Sequence, residues 1–189
     1  MRKLKLQAQI SLDGYVASPE GQLDWMTWEH DKKILDFINH LTDTSDTILM
    51  GRKMSPEFLN YWENIVDNQP DSPEFSFANK MVDTRKIIFS KTTNTTQGRN
   101  ATVENGDLVE KVNQLKNQEG KDIVVYGGAN FVSSLIHHNL IDDYYLFVHP
   151  IAIGKGLNIF QDRKPLKLID STAYEYGVVV NHFQSRDAK

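Results

Sequence analysis

Three stretches of this 189-residue chain end an apolar run in groups suited to holding phosphate. Ile123-Val124-Val125-Tyr126 runs into Gly127-Gly128-Ala129-Asn130, which reads as a strand, a glycine pair and the start of a helix. Glycine lets backbone approach a ligand closely, and the unpaired amides of a helix start attract anions. A strand-to-helix turn that simply needs positive φ explains the pair equally well. Met50-Gly51-Arg52-Lys53 is a second such corner, with two cations at its exit. Phe89-Ser90-Lys91-Thr92 is a third, with an ammonium between two hydroxyls. Taken singly, Arg52, Lys53 and Lys91 are as readily solvated surface. Ligands of open α/β sheets bind at the carboxyl ends of strands, so three such ends in succession favour a dinucleotide.

The loop after the first strand, Ser11-Leu12-Asp13-Gly14-Tyr15-Val16-Ala17, should reach the same edge, followed by Asp24, Trp25, Trp28, Glu29 and Asp31. Aromatic and acidic groups beside a cofactor could hold a flat, nitrogen-rich ring; for Asp24 and Glu29 surface acids are the better reading. Other constellations are missing. There is no G-x-S-x-G elbow, no Walker lysine motif and no G-x-G-x-x-G, since Gly154-Lys155-Gly156 lacks a third glycine. The six histidines lack H-E-x-x-H spacing, so no metal site is expected.

The elements that must position these groups follow from period. Lys3 to Ile10 alternates polar and apolar, which predicts a strand with Leu4, Leu6, Ala8 and Ile10 on one face. Asp31 to Leu41 has helical spacing. Thr47 to Met50, Lys86 to Phe89, Ile123 to Tyr126 and Tyr144 to Val148 read as strands. Helices are expected around Phe58, Leu59 and Trp62, over Asp107 to Gln118, and after Gly128. Glu63 to Ser76, with Pro70 and Pro73, reads as an irregular excursion, and Thr92 to Asn100 as a loop. Leu166 to Ala173 and Tyr176 to Phe183 read as a terminal antiparallel pair. Strands alternating with helices, then strands alone, predict an α/β fold: one mixed, mostly parallel sheet flanked by helices, in a single domain over residues 1–189.

Composition narrows the function. Lys and Arg number 21 against 25 Asp and Glu, for a net charge of −4, which argues against a nucleic-acid surface. The absence of cysteine removes disulfides, iron–sulfur clusters and thiol catalysis. No apolar run approaches the ~20 residues of a membrane span. No signal-peptide block opens the chain, so a cytoplasmic location is expected.

The order Ser11-Leu12-Asp13-Gly14, Met50-Gly51-Arg52, Ile88-Phe89-Ser90-Lys91-Thr92, Tyr126-Gly127-Gly128-Ala129 and His149-Pro150-Ile151-Ala152-Ile153-Gly154-Lys155-Gly156 resembles the dihydrofolate-reductase-like superfamily. It is most similar to the reductase domain of the bifunctional riboflavin-biosynthesis deaminase-reductase, over essentially the whole chain. The resemblance implies a sheet of about eight strands and NADPH across the strand ends. By position, Gly51 and Arg52 would lie along the cofactor, Ser90 and Lys91 near its adenosine phosphate, and Gly127, Gly128 and Ala129 at its pyrophosphate. Val16 would border the nicotinamide, and Asp31 lies nearest the acid that holds the pterin in dihydrofolate reductases. The usual threonine after Gly-Arg-x is Met54 here. A homodimer is also implied.

The resulting expectation is an NADPH-dependent reductase of a small heterocycle, possible substrates including the aminouracil of riboflavin biosynthesis. Asp31, or water held by it or by Asp13, would supply the proton, and Trp25 and Asp31 would meet the substrate. Arg52, Lys53, Ser90, Lys91 and Thr92 would favour NADPH over NADH, with Asn130 at the helix start beside the pyrophosphate. The alternatives are a nucleotide-binding protein without catalysis and a structural homodimer module.

Overall fold

A computed structural model describes residues 1–26 and 32–186. Eight strands form one sheet in the order β4-β3-β2-β5-β1-β6-β8-β7. They are β1 (Leu4–Ser11), β2 (Ser45–Gly51), β3 (Arg85–Phe89), β4 (Ala101–Glu104), β5 (Asp122–Gly127), β6 (Asp143–His149), β7 (Leu166–Ala173) and β8 (Val179–Ser185). The first six run parallel to one another. The last two are antiparallel, β8 to β6 and β7 to β8, as the sequence predicts.

Among the described residues five helices cover the sheet: α1 (Lys32–Asp43), α2 (Ser55–Asn68), α3 (Phe75–Asp83), α4 (Leu108–Asn117) and α5 (Ala129–His137). On one face, Leu4, Leu6, Ala8 and Ile10 of β1 join Val112 and Leu115 of α4 and Val132, Leu135 and Ile136 of α5 in a single apolar cluster. On the other face, Ile34, Ile38 and Leu41 of α1 pack with Phe147 of β6. Leu59 of α2 and Met81 of α3 pack there with Ile48, Met50, Ile88 and Val124.

Two elements depart from the sequence reading. The stretch taken as irregular is half helical, because α2 continues to Asn68, and α3 starts at Phe75. Pro70 and Pro73 break only the short link between them. The α3 helix is stabilised from outside its own sequence: Lys86, 1% exposed, donates from Nζ to the carbonyls of Met81, Val82 and Thr84 at 2.7, 2.8 and 2.7 Å. These are the orphan acceptors of a helix end, met by a buried cation where the helix dipole is negative. The short edge strand β4 was also not foreseen; its four residues carry too little periodicity to stand out.

Neighbouring central strands send the chain in opposite directions. It leaves β1 toward the face of α1, and leaves β5 toward the face of α5. Such a divergence opens a crevice at the carboxyl edge of the sheet.

Candidate functional site

The parallel register brings the three phosphate-friendly strand ends side by side. Gly51 is paired with Phe89 across β2 and β3, and Met50 with Gly127 across β2 and β5. Gly127 has φ 147°, a conformation that glycine tolerates, and the Gly127–Gly128 peptide is cis. Gly128 is the N-cap of α5 and no side chain caps that end, so the amides of Ala129 and Asn130 sit in the first turn without a side-chain acceptor. Gly51 is required by packing: a Cβ there would stand 2.8 Å from Cβ of Phe131, whose ring stacks on Phe89 at 5.2 Å. Met54 leans on the same corner, its Sδ 2.8 Å from a Cβ placed on Gly127.

Arg52 and Lys53 are exposed between β2 and α2, and Lys91 is exposed beyond β3, where its Nζ donates to the Gly106 carbonyl at 2.9 Å. Ser90 is buried and organises its loop. Its Oγ accepts from the amides of Thr92 and Thr93 at 3.1 and 3.0 Å and shares a hydrogen bond with Thr93 Oγ1. A glycine cradle, an uncapped helix start and three exposed cations suit a polyanionic dinucleotide, so the residues present fit NADPH.

The first loop is held to the segment after β6. The Leu12 amide donates to the Ile151 carbonyl, the Val16 amide to that of Leu157, and the Leu157 amide to that of Ala17. A Cβ on Gly156 would fall 2.2 Å from the Ala17 carbonyl oxygen, so only glycine permits this approach. Asp13 closes the junction by accepting from Ser11 Oγ at 2.7 Å and from the amides of Ile153 and Gly154 at 3.1 and 2.7 Å. The Ser11 hydroxyl, with the two amides, holds this carboxyl below its ordinary range. A carboxylate held this way is a clip between loops and a poor proton donor at neutral pH. Val16 is half-buried in the same loop. Trp28, Glu29 and Asp31 lie outside the described residues.

Beside this junction the structure assembles residues that the sequence reading had not grouped. Trp25 is buried, its ring edge-on to His149 with centroids 5.5 Å apart. His149 ends β6, and its Nε2 lies 2.8 Å from Gln9 Oε1. An amide oxygen can only accept, so the imidazole proton sits on Nε2. Burial lowers the pKa of His149, which keeps the ring neutral. Gln7 and Gln9 were visible as the polar half of the β1 alternation. Nothing in the sequence revealed that this half is also covered.

Comparison with known proteins matches this architecture. The chain is 33% identical over 181 residues to the uncharacterized protein YyaP of Bacillus subtilis (strain 168), spanning 94% of this chain and 92% of that one. A Shewanella sp. PV-4 protein ascribed to riboflavin biosynthesis has the same fold, with a TM-score of 0.70 at 22% identity over 98% of this chain and 99% of that one. So does Enterococcus faecalis dihydrofolate reductase, solved with NADP(H), with a TM-score of 0.61 at 15% identity over 98% and 97%. The expected dihydrofolate-reductase-like architecture is therefore the one observed. Residues 2–180 match the RibD C-terminal domain, and the chain belongs to that family.

Proposed function

We propose that the protein is an NADPH-dependent reductase of a small heterocyclic substrate, a reaction of the kind the riboflavin-biosynthesis relatives suggest. One observation carries this reading: the ends of β3, β2 and β5 stand together, with Gly51, Gly127 and Gly128 beside the uncapped start of α5 and the cations Arg52, Lys53 and Lys91 around them. The Enterococcus dihydrofolate reductase, which shares the fold, binds NADP(H).

Gly127, Gly128, Ala129 and Asn130 would hold the pyrophosphate through backbone amides. Gly51 and Arg52 would lie along the cofactor. Lys53, Lys91, Thr92 and the loop ordered by Ser90 would face the adenosine phosphate, and Val16 the nicotinamide. When bound, the cofactor supplies a hydride. The protein's part is to set the reacting carbons in line, exclude water and deliver a proton. With Asp13 engaged by three donors, Asp31 is the proposed proton source. A homodimer is proposed as well: edge strand β7 exposes Leu168 and Ile169, 53% and 43% accessible. The cytoplasm is the proposed compartment; among the described residues no helix is long and apolar enough to cross a membrane.

A titration with NADPH and NADH followed by tryptophan fluorescence tests the reading. Saturable binding that favours NADPH supports it, and no binding of either overturns it. Met54 against Gly127, where the superfamily usually has threonine, favours a second reading in which nucleotide is bound without turnover. Consumption of NADPH with pterin, pyrimidine or dicarbonyl substrates separates the two.

A further inference from the structure

Two helices start at the glycine cradle, and neither start is capped by a side chain. Gly128 stands before α5, and Met54 before α2. The first amide of α5 to close a helical bond is that of Val132, on the Gly128 carbonyl at 3.0 Å, and the first of α2 is that of Phe58, on Met54 at 3.2 Å. The amides of Ala129, Asn130 and Phe131 lie ahead of the first bond of α5, as the orphan donors of a helix start do. Between the two starts lies the side chain of Met54. Its Sδ and Cε would stand 2.8 and 3.9 Å from a Cβ on Gly127, and its Cβ 3.6 Å from one on Gly128. A thioether is a weak acceptor, so Met54 packs on the cradle without serving its amides. Met54 is half-buried, whereas Met50 and Met81, the methionines of the core, are 0% and 1% exposed. The sulfur that lies against the cradle thus belongs to a residue that solvent reaches.

We propose that Met54 is an oxidation site that closes the cofactor cradle. The oxidant is a hydroperoxide, hydrogen peroxide being the simplest. A lone pair of Sδ attacks the terminal peroxide oxygen, the O–O bond breaks and an S=O bond forms. The proton of the transferred oxygen passes to the departing oxygen, which leaves as water or an alcohol. Sulfur loses two electrons and the peroxide gains them. Oxidation turns a flexible apolar side chain into a polar one. The new oxygen carries partial negative charge beside two helix starts, where such charge is favoured. It accepts from the amides of α5 that the pyrophosphate would use, so the oxidised protein loses the cofactor. This deepens the reductase reading and rests on it.

The test treats the full-length protein with graded hydrogen peroxide and reads peptide masses, amide NMR shifts and NADPH affinity. Met54 should gain one oxygen along with the exposed Met1, and ahead of Met50 and Met81. The amides of Ala129 and Asn130 should shift as it does. NADPH should then bind about tenfold or more weakly, the weight of one charge-assisted hydrogen bond to its phosphates. Methionine sulfoxide reductases with a thiol reductant should restore the affinity. Met54→Leu, treated in the same way, should keep the affinity it has untreated. Met54 left unoxidised once Met1 is complete, unmoved Ala129 and Asn130 amides, or an unchanged NADPH affinity overturns the proposal. So does an equal loss in Met54→Leu, which would assign the effect to Met1 or to the half-buried Met26. If the untreated protein binds neither NADPH nor NADH, the reductase reading fails, while the order of oxidation and the two amide shifts still decide whether the sulfoxide takes the cradle.

Discussion

The two faces of β1 are both covered, yet they are built from opposite materials. Leu4, Leu6, Ala8 and Ile10 sit in one apolar cluster with α4 and α5. Lys5, Gln7, Gln9 and Ser11 point the other way, toward α1. The first face provides the hydrophobic stabilisation that folding needs. The second gives some of that up, and at Gln7 it leaves an acceptor unmet. Lys86, on the same side of the sheet, shows that a buried polar group there can be fully served, since three carbonyls meet its ammonium. Burial alone therefore does not separate a served polar group from an unserved one, whereas hydrogen bonding does.

The largest expected effect falls on the apolar face. Leu6→Ala, at a position 0% exposed, should lower stability by about 2–5 kcal/mol in urea unfolding. A loss no larger than that in Gln7→Leu would erase the contrast between the faces.

Lys86→Met comes next. Removing the donor shared by three carbonyls should cost about 1–3 kcal/mol at neutral pH. Burial lowers the Lys86 pKa from 10.5 to about 8. The unfolded chain then binds the proton more tightly, so this group makes stability rise with pH between about 8 and 10.5. Urea midpoints measured at several pH values should show that rise in the parent and not in Lys86→Met.

A smaller effect belongs to the rim of the crevice. Lys91 is exposed, so a contact with the adenosine phosphate is partly screened, and Lys91→Ala should weaken NADPH by about tenfold. NADH affinity should change little in calorimetry. Equal losses for both cofactors would make Lys91 a solvated strand-end residue.

The smallest change should come from Asp13→Asn, which keeps the shape of the clip and removes its charge. Amide exchange at Ile153 and Gly154 should quicken without a large shift in the global unfolding midpoint. In the parent the folded-state pKa lies below 3.8, so the clip's contribution is complete above that value and fades as pH falls through the folded one. Unchanged exchange in the variant would mean that the backbone bonds of Leu12, Val16 and Leu157 hold the loop by themselves.

Most of the fold was legible along the chain because its signals are local. The alternation of β1, the apolar run of β5 and the glycine pair after it each sit within a few residues, and their order suffices for the α/β class and for a candidate site at the strand ends. The pieces that escaped, α3 and β4, owe their form to partners outside themselves: Lys86, just past the helix on the next strand, caps α3, and β4 exists by pairing with β3. The candidate site divides in the same way. Gly51, Gly127 and Gly128 could be marked in the sequence because each stands directly after an apolar run. That Asp13 spends its carboxylate on Ile153 and Gly154, and that Trp25, His149, Gln9 and Gln7 form one row, was decided by strand order. Residues some 140 positions apart, such as Gln9 and His149, meet only because β1 lies beside β6. Period and composition report which face a side chain takes; which chain segment stands opposite it is settled when the sheet closes its register.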